Sequence, residues 1–522
     1  MAGVKICMLI WICFCISSIA YARQEDDIVN DDMQWQQLET YRKHPLSLNK
    51  ADVAELAALG LLTTLQIDEL INYKKQFGKL LSIYELQAVP GFDETTIQLI
   101  LPYVTVAEIN KITKGEQTIL LKNNLLRYRS STVGVQVKKD NYSAYYFIKN
   151  HHRIKSLAIG DFTVNMGQGL INWQAYALGK NSMITHIKRE GDIIRGSNSA
   201  GVNRGAAITL QQGNWQTTAI LSIQQAGANI SYVLPQAHIG FNWLNQNIGM
   251  DYAVSIRNYH LFGEWAFNNK KAMIMGMLAS IGKVADLALF YRNYNTHYQP
   301  LNANAMAENS RPVNEEGLYT GISIHTIKHW QLDAYADIFH FPWLQYKTNA
   351  PADGQELFAA VTYTPDKETR VYFRYQYKQK FQQSKAAVFL PPMIQTIHED
   401  YRFQLSLSPA KGWTWKTRVE ANTWQDEEGN QYGGLYQQEL VWQLPWWPLR
   451  CTLNYIWYST GGTDTRFYIP DRSVLYDYNL SQLYGNGSKQ SCTLRWKKNK
   501  HFQAWARVEA GGPLTLQVTY VI

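Results

Sequence analysis

The 522-residue sequence predicts a small all-α domain followed by a large antiparallel transmembrane β-barrel of about 18–22 strands. Three observations predict this fold class. Apolar residues recur with helical periodicity between residues 47 and 106, whereas from residue 117 onwards they alternate with polar residues, as they do in β-strands. The alternating segments continue to the C-terminus. Many of them end in Trp or Tyr, which is typical of strands that cross an outer membrane.

The composition excludes two broad classes of protein. With 46% hydrophobic and 18% charged residues, the chain is too apolar to be intrinsically disordered. Beyond the N-terminus no stretch approaches the roughly 20 consecutive apolar residues of a membrane-spanning helix, which excludes a polytopic helical membrane protein. The formal net charge of +8 is small for this length and does not by itself indicate nucleic-acid binding.

Residues 1–22 have the features of a secretory signal peptide. Lys5 supplies the positive charge, residues 6–19 are apolar, and Ala-Tyr-Ala at 20–22 fits a cleavage site. Residues 23–46 then form an acidic leader that links the signal to the first domain. An uncleaved anchor helix is the less favoured interpretation, because acidic residues follow the apolar run instead of a basic flank.

The segment 47–106 is predicted to form four short helices around one core. Thr63 with Gln66 and Ser82 with Glu85 are spaced as capping boxes, and Gly78 is suited to end a helix. The predicted core residues are Leu56, Leu59, Leu61, Leu65, Leu70, Ile71, Leu80, Leu81, Ile83, Leu86, Val89, Phe92, Ile97, Ile100 and Leu101.

Within this segment the sequences LNKADVAELAALG, QIDELINYKKQFGKLLSIYELQAVPGF and PYVTV resemble the tandem helix-hairpin-helix module of the competence protein ComEA. The resemblance implies two helical hairpins and places contacts with a DNA backbone at their turns. The two turns consist of Leu59, Gly60, Leu61 and Leu62, and of Pro90, Gly91, Phe92 and Asp93.

The residues of the two turns favour a plug or a protein-docking domain over a DNA-binding one. Hairpins that bind DNA need two glycines to bring backbone N–H groups close to phosphate, but Leu62 and Asp93 occupy the second glycine positions. The segment 47–106 also has four lysines against seven carboxylates, a net charge of −3. DNA binding and DNA uptake remain the alternative, and a periplasmic protein is the partner that the first interpretation implies.

After a linker at 107–116, strand-like alternation fills residues 117–522. In VYFRYQYK at 371–378 one face is apolar and aromatic, and the other is polar and basic. Lipid would stabilise such apolar faces, which predicts an outer-membrane barrel with the helical domain in the periplasm. A secreted soluble protein with two packed sheets is the alternative. The final residue, Ile522, departs from the terminal aromatic that is usual in such barrels.

Connections of different length predict which end of the barrel faces the periplasm. The short LPWWPL segment at 444–449 is expected on the periplasmic side. The long polar intervals 293–314, 380–397 and 459–487 are expected to be extracellular loops.

One basic interval is predicted to fold into the barrel as a constriction, with an ordinary exposed loop as the alternative. Residues 179–204 contain five basic side chains against two acidic ones, a net charge of +3. Such a passage would favour an anionic solute. The candidate constriction residues are Lys180, Lys188, Arg189, Arg195 and Arg204.

No motif for catalysis, a metal, a nucleotide or another cofactor is present in the sequence, so we expect no enzymatic activity. Cys451 and Cys492 lie on apolar strand faces and would form a disulfide only if their strands pair in a suitable register; two free thiols are the alternative.

The order of these parts resembles a group of Bacteroidota outer-membrane proteins over nearly the whole chain. The resemblance implies architecture and location rather than a mechanism. We expect a channel or transport component, with a structural or assembly subunit whose lumen is closed as a further alternative.

Overall fold

The computed structural model describes most of the chain from residue 41 onwards. It covers residue 41 and residues 45–521, apart from 52, 93, 107–116, 124, 131, 140, 175–178, 187–192, 198–201, 235, 283, 326–328, 367, 386–389, 473, 475–477 and 500. The predicted signal peptide, most of the acidic leader, the linker and Ile522 therefore lie outside the described residues. Within them, no helix combines the length and the apolar character needed to cross a membrane.

The N-terminal module, residues 45–106, contains three α-helices and one 3-10 helix. These are Val53–Leu59 (α1), Thr64–Phe77 (α2), the 3-10 helix Ile83–Ala88 and Glu94–Ile100 (α3). Both predicted capping boxes are confirmed, at the starts of α2 and of the 3-10 helix. Leu46–Ser47 pairs in parallel with Val104–Thr105, so the two ends of the module meet. The assignment of a helix-hairpin-helix fold to these helices stays a prediction.

A closed antiparallel β-barrel of 24 strands occupies the rest of the described chain. The strands are Thr118–Lys122 (β1), Leu125–Arg129 (β2), Val133–Lys138 (β3), Asn141–His151 (β4), Ile154–Met166 (β5), Asn203–Gln212 (β6), Trp215–Ser222 (β7), Ala226–Val233 (β8), Ala237–Leu244 (β9), Asn247–Ile256 (β10), Tyr259–Asn268 (β11), Lys270–Ile281 (β12), Ala285–Tyr294 (β13), Glu315–Ile324 (β14), Trp330–Phe341 (β15), Ala352–Tyr363 (β16), Thr369–Gln383 (β17), Met393–Leu407 (β18), Trp413–Asp426 (β19), Gly429–Gln443 (β20), Leu449–Thr460 (β21), Asn486–Lys497 (β22), Phe502–Glu509 (β23) and Thr515–Val521 (β24).

The barrel closes where β1 pairs with β24, with Thr118 opposite Val521. The predicted range of 18–22 strands is too low, although the even number is as expected. The first three strands have only five or six residues each and are joined by very short turns. Strands this short carry little alternation, so the period-two pattern does not count them reliably.

The two ends of the barrel differ in the length of their connections. At the end that holds residues 118 and 521, every connection has two to five residues, including 444–448. The five connections of nine residues or more all lie at the opposite end: 167–202, 295–314, 342–351, 384–392 and 461–485. Outer-membrane barrels show this asymmetry, with short periplasmic turns and long extracellular loops. We call the first the short-turn end and the second the long-loop end.

The outer and inner faces of the strands separate as the alternation predicts. Outward-facing Phe373, Trp415 and Trp457 are exposed, whereas Arg374 and Arg418, which alternate with them along β17 and β19, point inward and are buried. An apolar outer wall around a polar interior is the arrangement of a transmembrane barrel rather than of two sheets packed face to face.

Part of the barrel interior is filled by the protein's own loops. A continuous apolar core lies inside the barrel, where aromatic rings of the wall pack on residues of the 167–202 connection such as Leu170, Ile171, Met183 and Ile184. The rings form a ladder over β11 and β13–β16, passing over Gly276 of β12, with centroid separations of 4.8 to 5.3 Å: Phe262, Phe290, Tyr319, Tyr335 and Phe358.

Two long loops interlock within this core. The Tyr298 hydroxyl donates to the Leu170 carbonyl oxygen at 2.9 Å, and the Trp173 N–H donates to the Asn302 carbonyl at 2.9 Å. Buried Glu264 on β11 accepts the backbone N–H groups of Gln168 at 2.6 Å and Leu170 at 2.9 Å. The loops are therefore held inside the barrel by polar as well as apolar contacts.

A third connection also folds inward. Within 461–485, Phe467–Arg472 and Tyr478–Leu483 form a hairpin. Phe467, Ile469 and Leu483 of this hairpin pack on Leu435 and Ile456 of β20 and β21.

The disulfide considered from the sequence is not formed, because Cys451 and Cys492 are free. Cys451 lies opposite Leu494 and Cys492 lies opposite Leu453, so the two cysteines are diagonal neighbours on β21 and β22. Their side chains form a hydrogen bond with each other as thiols, so the two cysteines are close neighbours without a covalent bond.

Candidate functional site

Lys180 occupies the centre of a buried acidic cage inside the barrel. Its Nζ lies 2.6 Å from Glu308 Oε2, 2.6 Å from Asp337 Oδ2 and 2.8 Å from Glu356 Oε2. The three carboxylates, whose oxygens lie within 4.8 Å of one another, form the kind of cluster that holds a metal ion. Here the ammonium group of the chain itself satisfies all three acids, so we call this site the lysine cage.

Further cations surround the lysine cage. Lys378 Nζ lies 2.8 Å from Glu308 Oε1, and Lys380 pairs with the same carboxylate. On the other side Arg292 donates to Glu315 at 2.6 Å and to Asp337 at 2.7 Å. Charges this deeply buried require such mutual compensation, since each one alone would be costly to desolvate.

The cage fixes the ionisation of the loop residues that enter it. Although burial alone would favour the neutral form of Lys180, the carboxylates of Asp337, Glu308 and Glu356 hold its pKa well above the usual lysine value. In the same way, burial opposes ionisation of Glu308, but Lys180, Lys378 and Lys380 hold its pKa well below the usual glutamate value. Both groups therefore stay charged throughout the physiological pH range.

The other predicted constriction residues do not gather around Lys180. Arg195 is exposed on a short strand, Ile194–Gly196, which pairs with β5. Arg204 lies on β6, where its Nε pairs with Asp161 at 2.6 Å and its guanidinium stacks on Tyr142. Lys188 and Arg189 lie outside the described residues. The predicted basic constriction thus stays a prediction, while Lys180 itself is neutralised by carboxylates.

The helical module lies against the barrel at the short-turn end. The carbonyl oxygen of Thr185, on the 167–202 connection, accepts the Thr64 N–H at 3.3 Å, and His186 Nε2 donates to the Leu62 carbonyl at 2.5 Å. Thr64 is the first residue of α2, and the first four N–H groups of a helix have no hydrogen-bond partner within that helix. An acceptor from the in-folded loop therefore satisfies a polar group that the helix leaves open.

A second contact joins α2 to the barrel wall. Asp68 pairs with Ser255 at the end of β10 and lies 3.4 Å from His260 Nδ1 on β11. Ser255 and His260 flank a short turn, which places α2 at the mouth of the short-turn end. His260 and Ser255 also contact each other, with Nδ1 and Oγ 2.7 Å apart.

The two turns implied by the ComEA resemblance have different surroundings. In the first turn, Leu59 and Leu62 are buried and Gly60 has a positive φ of 67°. The Leu62 carbonyl is bonded to His186, so this turn faces the barrel mouth.

In the second turn Phe92 is buried, whereas Pro90 and Gly91 are exposed, and the Gly91 carbonyl accepts a hydrogen bond from Gln66 at 2.9 Å. Asp93, the last residue of the second turn, lies outside the described residues, and Leu61 of the first turn is half-buried. The second turn is thus the one that is turned to solvent.

Further basic groups lie on the inner faces of β17–β19 and pair with carboxylates there. Arg402 and Arg418 both donate to Glu420, and Arg374 pairs with Asp400 at 3.4 Å. Towards the closing strands the inner face is more open to solvent, and the Lys489 side chain on β22 is 36% exposed. The carboxylates of Glu315, Asp337 and Glu356 on β14–β16, by contrast, are no more than 1% exposed. Water therefore reaches the interior beside β22 and also the outer cations of the lysine cage, where the Lys380 side chain is 27% exposed, but not the three cage carboxylates.

Several functional residues carry no signal in the sequence. Glu264, Asp337 and Glu356 appear there as isolated acids within alternating strands. Their partners lie far away along the chain: Glu356 is 176 residues from Lys180, and Glu264 is 96 residues from Gln168. The sequence shows each of these acids only as a polar residue on the inward face of a strand, and that position does not identify the residue with which the acid pairs.

No family model matches the sequence, and no curated protein is similar to it. The chain is similar in fold to several solved barrels. P. aeruginosa FpvA bound to a heterologous pyoverdine has 11% identity and a TM-score of 0.40, over 78% of this chain and 71% of that one. The FrpB iron transporter from Neisseria meningitidis has 8% identity and a TM-score of 0.40, over 79% and 82%.

The anion-selective porin from Comamonas acidovorans has 8% identity and a TM-score of 0.30, over 61% of this chain and 93% of that one. Similarity at this level is shared by barrels with different functions and assigns no ligand to this chain. The closed ring, the apolar outer wall and the asymmetric connections decide the class. The chain is a large β-barrel of the outer-membrane type.

Proposed function

We propose that this barrel is an outer-membrane transport component and that its helical module, on the periplasmic side, closes the mouth of the lumen. The apolar outer wall supports insertion in a lipid bilayer, and the short-turn end supports a periplasmic position for the module. The observation that carries the proposal is the bonding of Leu62 and Thr64, at the start of α2, to the in-folded loop and of Asp68 on α2 to the barrel wall.

The charge of the inner wall indicates which class of solute the barrel would transport. Lys489, Arg495 and Arg507 lie on the inner faces of β22 and β23, where Lys489 and Arg507 share one carboxylate, Glu509, so that the cations outnumber the acid. Basic groups along a narrow passage attract anions and repel cations. We therefore assign the passage to anionic solutes, and the proposal gives the chain no enzymatic role and no cofactor.

A cysteine pair at the module contact tests the plug directly. In a Cys451→Ala, Cys492→Ala background, Asp68→Cys combined with Ser255→Cys is expected to form a disulfide that locks α2 to the wall. In planar bilayers the oxidised protein should remain closed, and reductant should raise the frequency of open channels several-fold. The single variants Asp68→Cys and Ser255→Cys are the matched controls and should not respond to reductant.

Equal conductance of the oxidised and reduced forms would contradict the plug. Reversal potentials measured in a salt gradient across the same bilayers test the preference for anions. Binding of duplex DNA to the full-length protein in detergent micelles, steeply weakened by salt, would instead support the DNA-uptake alternative.

The docked module is also expected to respond to pH through His186. Burial lowers the pKa of His186 below its ordinary value of about 6.5, although its hydrogen bonds to the backbone of Leu62 and Ser182, and the charge of Asp286, act in the opposite direction. The undocked state therefore takes up a proton that the docked state excludes, and docking weakens as the pH falls below about 6.5. Above that pH the contribution of His186 to docking is fully present.

A distance measurement between spin labels checks this pH dependence. Gln87→Cys places one label on the exposed surface of the module, and Lys411→Cys places the other on a short turn of the barrel. The docked fraction should fall between pH 7.5 and pH 5.5. Because His186→Gln retains an N–H donor for the Leu62 carbonyl but does not titrate, this variant should show a flatter profile. The parent protein and the His186→Gln variant both retain His260. Identical pH profiles for the two proteins would therefore mean that His186 is not the group responsible for the pH effect.

A further inference from the structure

One segment joins the lysine cage to the helical module. Residues 179–186, which we call the strap, run along the inner wall from the long-loop half of the barrel to the mouth of the short-turn end. Lys180 lies at one end of the strap, and Thr185 and His186 lie at the other. Asn181–Ile184 forms a 3-10 turn between them, so the two ends are joined by a single short helical turn.

The upper end of the strap is fixed by charge. Lys180 Nζ contacts three carboxylates within 2.8 Å, and the Tyr319 hydroxyl donates to the Lys180 carbonyl oxygen at 2.8 Å. The carboxylates come from the 295–314 loop and from β15 and β16. Moving Lys180 therefore means separating charges that are buried on every side.

The middle of the strap is packed too closely to absorb a displacement. Met183 and Ile184 are 1% and 2% exposed, inside the apolar core of the barrel. Ile184 lies over Gly321 on β14, where an added Cβ would be 3.0 Å from Ile184 Cγ1. Interiors packed at this density transmit a shift to neighbouring groups instead of deforming locally.

The lower end of the strap makes two hydrogen bonds to the module at the start of α2. The Thr185 carbonyl accepts from Thr64 N–H, and His186 donates to the Leu62 carbonyl, while the Thr185 hydroxyl donates to His186 Nδ1 at 2.7 Å. A displaced strap would remove the acceptor of one helix N–H and the donor to one carbonyl at the same time.

We propose that the strap couples the two sites, so that docking of the helical module depends on Lys180 remaining in its cage. A solute or loop movement that draws Lys180 out of the cage would release the module at the opposite end of the lumen. The coupling is reciprocal, and a docked module in turn stabilises the cage. This inference rests on the proposed role of the module as the closure of the barrel mouth.

The test leaves every residue of the module intact. In the background with spin labels at positions 87 and 411, Lys180→Met should lower the ratio of docked to undocked molecules by about 5-fold or more, the lower end of ordinary allosteric coupling. Lys416→Met, which removes a lysine that pairs with Glu439 between β19 and β20, is the matched control and should keep the ratio of the parent protein. A docked ratio in Lys180→Met equal to that of Lys416→Met would overturn the proposal.

A milder variant keeps the test decisive if Lys180→Met does not fold. Tyr319→Phe removes the hydroxyl that donates to the Lys180 carbonyl and leaves all charges in place. Its docked ratio should fall by a smaller factor, and an unchanged ratio would count against the coupling. If the module does not close the barrel mouth, the disulfide between positions 68 and 255 will leave the conductance unchanged, even though Lys180→Met shifts the label distances. The failure of the proposed closure is therefore distinguishable from the failure of the coupling.

Discussion

Arg292→Met will lower the free energy of unfolding of the barrel by about 3–5 kcal/mol, the usual effect of removing one partner of a buried ion pair. The Arg292 guanidinium lies 2.6 Å from Glu315 and 2.7 Å from Asp337, and none of the three side chains is more than 1% exposed. Methionine fills similar space without charge, so both carboxylates lose a buried partner. The measurement is the midpoint of guanidinium unfolding in detergent micelles, followed by tryptophan fluorescence.

Two variants show whether this effect comes from burial and geometry. Arg292→Lys keeps the charge but cannot bond Glu315 and Asp337 together, so it should recover only part of the loss. His340→Gln removes the contact between His340 and Asp353, two side chains that are 44% and 77% exposed. This substitution should change the free energy of unfolding by less than about 1 kcal/mol. A midpoint for Arg292→Met equal to that of His340→Gln would show that the buried network does not stabilise the barrel.

Gly160→Ala will prevent correct closure of the barrel between β4 and β5. Gly160 has a φ of +95°, and a Cβ added there would lie 2.3 Å from the carbonyl oxygen of Ala144 on the neighbouring strand. That oxygen belongs to the backbone, so relief requires a shift of the whole strand. We expect most of the variant to migrate as unfolded protein on a denaturing gel without heating.

Gly213→Ala is the matched control for this substitution. Gly213 also has a positive φ, of +59°, but an added Cβ would meet no atom within 4 Å. Its expected cost is only the conformational strain of alanine, about 1–2 kcal/mol. Equal folding yields for the two variants would mean that the close approach between β4 and β5 does not limit assembly.

The sequence predicts the outer wall of this protein better than its interior. Alternation in segments such as 371–378 assigns the outward face correctly, because lipid selects apolar residues at every second position. Helix boundaries near Thr63 and Ser82 are also correct, because caps are local. These features depend on residues within a few positions of one another.

The interior depends on contacts that local patterns do not encode. Lys180 appears in the sequence as one of several basic residues in a loop, yet its three carboxylates come from two strands and another loop. The pairing of Cys451 with Leu494 likewise depends on strand register, which the alternation alone leaves open. Charge counting therefore does not reveal that Lys180, one of the residues of the predicted basic constriction, is surrounded by carboxylates.

The wall of the barrel is much lower on one side than on the other. β1 and β2 have five residues each, about 17 Å of extended chain, whereas β17, β18 and β20 have 15 each, about 50 Å. An apolar band of ordinary height, about 25 Å, cannot be covered beside the short strands, particularly once strand tilt is included. The bilayer next to the seam between β1 and β24 must therefore become thinner, or its lipids must tilt. The protein thus deforms the membrane on one flank only.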